Sequence, residues 1–303
     1  MKCSEEPVST IHFALAAVFA VFVAGASGEP ALAQQGPLKP YKEELFARAP
    51  VLAVEDGGTY QLIDYQELRD INERDQVPER RVKSSYVSTG VKRHQENETL
   101  QLGNRRTIDV TRVGPRQNAS FTVIFVHGRG GDRRLGANDY SFGGNFNRLK
   151  NLAVMNGGTY YAPSVTSFEE GGTAEIAGLT RYAFEQSGGR PVLLACASMG
   201  GMICSGIARD REAVNYLSGL AILGGPGDPG YSTTPAAKRR LPLYLAHGSA
   251  DSVYPLEGQV AVYKKLRQAA YPVQLTVFNT GGHGTPIRMT DWRKVINFLL
   301  TAG

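Results

Sequence analysis

Three side chains with the chemistry of a nucleophilic catalyst each follow a separate strand-like run. Ser198 follows the apolar run 192–195, Asp251 follows the run 241–246, and His283 follows the run 273–278. A serine hydroxyl becomes nucleophilic only when a base removes its proton, and an acid then orients that base. We therefore expect Ser198 as nucleophile, His283 as base and Asp251 as the acid.

The residues around Ser198 are typical of a nucleophile elbow, a sharp turn between a strand and a helix. Ala197, Gly200 and Gly201 are small enough for such a turn, and Cys196 stands where glycine is usual. The triplet S-x-G is common by itself, and a small-residue packing turn is the alternative interpretation. The strands and helices predicted around Ser198 are needed to choose between a nucleophile elbow and a packing turn.

The roles of acid and nucleophile each have an alternative. Asp228, after the preceding strand-like run, is the alternative acid, although the surroundings of Asp251 are the better match. Cys196 is an alternative nucleophile, which the S-x-G-G context disfavours. His127 and His247 each precede a glycine at a strand end and are expected to brace loops.

Strand-like and helix-like runs alternate from residue 121 onward, which predicts an α/β fold. The fold class is a mostly parallel sheet with helices on both faces, whose strand ends carry the chemistry. The predicted strands are 121–126, 158–162, 192–195, 217–223, 241–246 and 273–278, and the predicted helices are 145–155, 173–186, 199 onward, 258–270 and 291–300.

The segments before residue 121 are less regular. Short antiparallel strands are expected at 84–89, 98–102 and 106–113. A short helix is expected at 41–47, and 60–72 is either a helix or a strand followed by one. The function of residues 34–83 stays open.

Four motifs occur in a fixed order, each after a predicted strand: H-G-x-G-G at 127–131, x-x-S-M-G-G at 196–201, H-G-x-x-D-x-V-x-P at 247–255 and G-G-H-G at 281–284. In these motifs the chain from about 105 to 303 resembles the α/β-hydrolase superfamily, in particular its carboxylesterase and dienelactone-hydrolase-like branch. The resemblance implies an α/β-hydrolase fold whose triad is Ser198, Asp251 and His283. It also implies an oxyanion hole formed by the N–H groups of Met199 and Arg129, with Gly130 as the second choice for the latter.

The expected function is that of a serine hydrolase that cleaves carboxylic esters through an acyl-enzyme, with no cofactor and no metal. A thioesterase or an amide or peptide hydrolase would use the same triad, and a non-catalytic binding protein of the same fold is a third alternative. The short, Gly- and Pro-rich stretch between residues 223 and 241 leaves no room for a large lid. The segment 138–147, with Tyr140, Phe142 and Phe146, is expected to lie over the cleft.

The N-terminal sequence predicts a signal peptide. An apolar run at 11–26 precedes the A-x-A pattern at 31–33, which is typical of a signal peptide, whereas the run is short for a membrane span. The predicted organisation is therefore a signal peptide at 1–33, an extension with entry strands at 34–104 and a catalytic domain at 105–303. Export to the periplasm or the cell exterior, as a soluble protein, is expected, with an uncleaved membrane anchor as the alternative.

The net charge and its distribution along the sequence indicate which partners to expect. The net charge is +5, and the basic residues are interspersed, so we expect no nucleic-acid partner and at most weak contact with anionic surfaces. The expected partner is a small-molecule or lipid-like ester, and the oligomeric state stays open.

Cys196 and Cys204 are expected to be free thiols. Cys196 is predicted at a strand end and Cys204 two turns into the next helix, which would place them too far apart for a disulfide.

Overall fold

The computed structural model describes Met1 and residues 36–76, 80–103 and 106–302. The predicted signal peptide at 1–33 lies outside the described residues, apart from Met1.

The described residues form twelve strands and nine α-helices, numbered here in chain order. The strands are β1 (Val51–Glu55), β2 (Tyr60–Asp64), β3 (Asp75–Gln76), β4 (Arg81–Val82), β5 (Gln95–Gln101), β6 (Thr107–Val113), β7 (Thr122–Val126), β8 (Thr159–Pro163), β9 (Val192–Ala197), β10 (Gly219–Leu223), β11 (Leu243–Gly248) and β12 (Val273–Asn279). The helices are α1 (Glu43–Phe46), α2 (Arg133–Ala137), α3 (Asn145–Met155), α4 (Glu170–Gln186), α5 (Gly200–Arg209), α6 (Pro235–Lys238), α7 (Leu256–Gln268), α8 (Thr285–Met289) and α9 (Trp292–Thr301).

Ten of these strands form one sheet in the order β1-β2-β12-β11-β10-β9-β7-β8-β6-β5. The strands from β2 to β8 in this order run parallel, and antiparallel pairs close both edges. The central strands β7, β9, β10 and β11 are buried along their whole length, as their continuous apolar sequences predict. The predicted fold class is therefore confirmed.

Two apolar clusters lie on opposite faces of this sheet. Residues of α4, α5 and α7 pack on one face, and residues of α3, α8 and α9 pack on the other. Each helix places its apolar side on the sheet, so strand side chains that point up and down alternately are covered on both faces. The parallel strands consequently end at one edge, where the loops that carry the candidate site residues meet.

Several boundaries before residue 121 differ from the sequence prediction. The strand expected at 84–89 is wrong, since Ser84–Tyr86 and Thr89–His94 are 3-10 helices. The second alternative for 60–72 is correct, because β2 is followed by a short helical turn at Leu68–Asn72. β1 and β2 belong to the main sheet, so the sheet contains strands from both sides of the predicted boundary at residue 104.

The expectation that the fold has no large lid is confirmed. Between β10 and β11 the chain forms only a 3-10 turn, Tyr231–Thr233, and the four-residue helix α6. Among the residues described, no helix has the length and apolar character needed to span a membrane.

Candidate active site

Ser198 lies on a strained turn between the end of β9 and the start of α5. Its φ is 53°, in the left-handed region that few residues other than glycine adopt. Its N–H donates to the Leu223 carbonyl oxygen at 2.9 Å, which holds the turn to the neighbouring strand β10. A Cβ on Gly200 would lie 2.6 Å from the His127 carbonyl oxygen, so the helix can approach β7 only with glycine there. This geometry is that of a nucleophile elbow.

Cys196 and Cys204 form a disulfide across the elbow, with their Cα atoms 6.1 Å apart. The expectation of two free thiols is therefore wrong. Since α5 begins at Gly200, Cys204 lies about one turn into the helix and not two. Because the elbow reverses the chain sharply, α5 runs back beside β9 and brings Cys204 within bridging distance. Since Cys196 is bonded, it offers no thiol as an alternative nucleophile.

The side chains of Ser198, His283 and Asp251 form a continuous hydrogen-bonded chain. The His283 Nε2 lies 2.8 Å from the Ser198 Oγ, and the His283 Nδ1 lies 2.8 Å from the Asp251 Oδ2. An ionised carboxylate only accepts hydrogen bonds, so the Nδ1 carries the proton and the Nε2 accepts the serine hydroxyl. This is the tautomer that a general base requires.

Asp251 is held as an ionised acceptor. Its side chain is fully buried, and burial alone would raise its pKa. Hydrogen bonds from His283 and from the backbone N–H groups of Val253 and Tyr254 outweigh that effect, so the pKa of Asp251 lies below its ordinary value. The buried His247 is also close, with its Nε2 3.3 Å from the Asp251 Oδ2. The carboxylate thus stays charged at neutral pH.

Asp228 does not contact His283. Its carboxylate forms two hydrogen bonds with Arg209, at 2.6 and 2.7 Å, and accepts the Gly230 N–H. Of the two predicted acids, only Asp251 lies against the histidine.

The loop after β7 lies directly over the serine. A Cβ on Gly128 would lie 2.7 Å from the Ser198 Cβ, so this position needs glycine. The buried His127 ring braces the loop, because its Nε2 accepts the Val165 N–H at 3.0 Å and its Nδ1 donates to the Gly128 carbonyl oxygen at 2.7 Å. Burial lowers the pKa of His127, in keeping with a neutral ring that both donates and accepts.

Among the described residues, the backbone N–H groups of Met199, Arg129 and Gly130 have no hydrogen-bond acceptor. These are the donors predicted for an oxyanion hole, one after the nucleophile and the others on the loop over it. Gly131 instead closes the loop by donating to the Gly128 carbonyl oxygen at 3.1 Å.

Two aromatic residues lie near His283, of which only Phe142 had been expected at the cleft from the sequence. The Tyr254 ring centre lies 5.8 Å from that of His283, and the Phe142 Cε1 lies 3.5 Å from where a Cβ on Gly284 would be. Tyr254 lies within the H-G-x-x-D-x-V-x-P motif, which was the available signal for it. Of the aromatic residues expected over the cleft, only Phe142 lies beside the site. Phe146 is fully buried in the core against Phe125, and Tyr140 packs against the cluster of Phe46, Val82 and Tyr86, so the expectation is wrong for both.

In the part of the chain that the structure describes, no group of three or more His, Cys, Asp or Glu side chains is arranged to hold a metal ion.

Comparisons with known proteins identify the fold. No protein-family model matches the chain, and no curated protein matches it in sequence. Solved structures do match, among them a thermostable esterase with 18% identity and a TM-score of 0.53, which covers 69% of this chain and 63% of its own. Esterase Est22 has 13% identity and a TM-score of 0.52 over 77% of this chain and 86% of its own. An esterase of Pyrococcus furiosus, Pf2001, has 13% identity and a TM-score of 0.51 over 69% and 92%.

These similarities show that the protein has the α/β-hydrolase fold, as the resemblance of its motifs implied. The chain spans less than two thirds of the length of the thermostable esterase.

Proposed function

We propose that the protein is a serine hydrolase that cleaves carboxylic esters through an acyl-enzyme intermediate. The observation that carries this proposal is the pair of 2.8 Å hydrogen bonds from Ser198 through His283 to Asp251, with the serine on a left-handed turn. A merely structural serine would not need a strained backbone, whereas a nucleophile must project from the sheet.

The first half of the reaction follows from this arrangement. His283 Nε2 takes the proton of the Ser198 hydroxyl while the Oγ attacks the acyl carbon of the ester. The negative charge moves to the former carbonyl oxygen, which accepts hydrogen bonds from the N–H groups of Met199 and of Arg129 or Gly130. Asp251 stabilises the imidazolium, which then gives its proton to the departing alkoxide oxygen.

The second half repeats these steps with water. His283 removes a proton from a water molecule that attacks the acyl carbon, and the same N–H groups stabilise the second oxyanion. The imidazolium returns the proton to Ser198 Oγ, which releases the carboxylic acid and restores the free enzyme.

The substrate proposed is a small or exposed ester, including lipid-like ones. The short connection between β10 and β11 supports this proposal, because a site without a large lid does not enclose a bulky triglyceride. Thioester and amide substrates would use the same groups.

The test is labelling of the purified protein with a fluorophosphonate, followed by peptide mapping. We expect one adduct, on Ser198, that is absent in Ser198→Ala, together with hydrolysis of p-nitrophenyl esters by the wild type only. The absence of an adduct on folded wild-type protein would contradict the proposal and favour a non-catalytic binding protein.

We further propose that the chain is exported. The apolar run at 11–26 with A-x-A at 31–33 supports this, as does the Cys196–Cys204 disulfide, because disulfides persist in oxidising compartments. Mass spectrometry of the protein from secreting cells should find an N-terminus at residue 34. A chain that keeps Met1 would contradict cleavage.

A further inference from the structure

The segment that carries His283, residues 279–289 (the histidine segment), contacts the N-terminal part of the chain at its first end. β2 lies parallel to β12 at the point where the histidine segment begins, with Asp64 opposite Asn279. The next residue, Thr280, donates its hydroxyl to the Tyr65 carbonyl oxygen at 3.1 Å. The N-terminal extension therefore fixes the chain just before the histidine.

The other end of the histidine segment is held by a buried ion pair. α8 begins two residues after His283, and Arg288 on this helix binds Asp75 with an Nη1–Oδ2 distance of 2.9 Å. The Asp75 side chain is fully buried and that of Arg288 is 10% exposed. Removing one partner of a buried ion pair leaves the other charge uncompensated, so this contact strongly constrains where α8 lies.

Arg74 connects α8 to the 3-10 turn Phe142–Gly144, which lies beside Gly284. One terminal nitrogen donates to the Met289 Sδ at 3.3 Å and the other donates to the Gly143 carbonyl oxygen at 2.9 Å. Burial lowers the pKa of Arg74 to about 10, so the guanidinium stays charged at neutral pH. Through Gly143 it also fixes Phe142, whose ring approaches the Cα side of Gly284.

The serine is positioned by other parts of the molecule. Ser198 depends on β9, α5 and the Leu223 carbonyl oxygen, none of which belongs to the N-terminal extension. The distance between His283 Nε2 and Ser198 Oγ therefore depends on the contacts of the elbow and on those of the histidine segment, which are made with the extension, with Asn145 and with the loop after β11 that carries Ser249 and Asp251. Proton transfer requires that these atoms stay within hydrogen-bonding distance, and a displacement of about 1 Å can cost about 100-fold in rate.

We propose that Arg74 and Asp75 are positioning residues for His283, and that with the Tyr65 carbonyl they hold the histidine segment against the nucleophile elbow. This proposal rests on the proposed hydrolase function for its kinetic consequences. It gives Tyr65, Arg74 and Asp75 a positioning role within the stretch 34–83, whose function the sequence left open.

The principal test compares Asp75→Asn with Glu98→Gln. Glu98 is a matched control, because its side chain is 9% exposed, lies in the same extension and pairs with an arginine, Arg112, away from the site. With p-nitrophenyl butyrate we expect kcat of Asp75→Asn to fall about 100-fold with KM within about threefold, and kcat of Glu98→Gln to stay within about twofold. A purely structural effect would lower the thermal midpoint of both variants and leave kcat of the folded protein equal.

A milder pair of variants applies if Asp75→Asn does not fold. Thr280→Ala removes the hydroxyl that binds the Tyr65 carbonyl, whereas Thr280→Ser keeps it. We expect kcat to fall about tenfold in the alanine variant and to stay close to the wild-type value in the serine variant. Equal kcat values for the two would overturn the proposal.

Amide hydrogen exchange tests the positioning contacts independently of the proposed hydrolase function, because the measurement requires no enzymatic activity. Peptides covering 279–289 should exchange at least several-fold faster in Asp75→Asn, or in Thr280→Ala, than in the matching controls. If the wild type is inactive but exchange changes in this way, the hydrolase function fails and the positioning contacts stand. If the wild type is active and neither exchange nor kcat differs from the controls, the positioning proposal fails.

Discussion

The nucleophile elbow and the histidine segment meet at one hydrogen bond, yet they are built differently. The elbow combines a turn at Ser198, the helix that follows it and a disulfide between residues eight apart with contacts to the neighbouring strand ends of β7 and β10. The histidine segment also contacts Tyr65 and Asp75, which lie 215 and 213 residues away from their partners in sequence. The elbow is therefore supported by the central strands and its own helix, whereas the histidine segment is supported in part by the N-terminal extension.

This comparison predicts how each half of the site responds to substitution. An atom added at Gly200 would meet backbone atoms of β7, so it should reduce stability. Loss of the Thr280 hydroxyl bond should reduce turnover more than stability, whereas loss of the buried Asp75–Arg288 pair should reduce both.

The largest effect is expected for substitution of His283, whose hydrogen bond to Ser198 joins the two regions. His283→Ala removes the base, and we expect kcat/KM for p-nitrophenyl butyrate to fall about 10⁴-fold. His94→Ala is the control, because His94 lies on the exposed surface in the extension, and it should stay within about twofold. A His283→Ala variant that keeps more than a tenth of the activity would contradict its role as base.

Glycines in the two regions should respond differently to the same substitution. In Gly200→Ala the new Cβ would lie 2.6 Å from the His127 carbonyl oxygen and 2.9 Å from that of Val126, both backbone atoms. We expect a loss of about 3 kcal/mol in the free energy of unfolding, measured by urea denaturation. Gly282→Ala in the histidine segment meets nothing within 4 Å and should change stability by less than about 1 kcal/mol. Equal losses of unfolding free energy in Gly200→Ala and Gly282→Ala would contradict this difference between the two regions.

Removal of the elbow disulfide should have a smaller effect. Replacing Cys196 and Cys204 by alanine opens a loop with a sequence separation of 8, and we expect the free energy of unfolding to fall by about 2 kcal/mol. Dithiothreitol should lower the thermal midpoint of the wild type and leave that of the double variant unchanged. An unchanged midpoint in fully reduced wild type would show that the bond does not support the elbow.

The smallest expected effect is a pH dependence from the loop over the serine. Burial lowers the pKa of His127, so its unfolded form, with an ordinary value of about 6.5, binds a proton first as the pH falls. The stability that the neutral ring contributes is present above that value and is lost as the pH falls toward the lowered pKa. The difference in free energy of unfolding between wild type and His127→Gln should therefore be larger at pH 7 than at pH 5. A constant difference would contradict a buried neutral ring.

Much of the sheet was predictable because buried parallel strands are continuous apolar runs. The strand expected at 121–126 is found at Thr122–Val126, and the helix expected at 145–155 is found at Asn145–Met155. β1 and β2 were not predicted as part of the main sheet, because β2 pairs with β12, more than two hundred residues later. The strand expected at 84–89 failed because its apolar residues pack in 3-10 turns.

The order of the elements and the residue types at their ends could be inferred from the amino-acid sequence, because strand periodicity and small-residue turns are local properties. Ser198, Asp251 and His283 could therefore be predicted together. The contact of Asp251 rather than Asp228 with His283, the bond between Cys204 and Cys196 and the contacts of Arg74 and Asp75 with α8 required the tertiary structure. Each of these depends on the direction in which one element crosses another, and that direction is set by packing across the whole sheet.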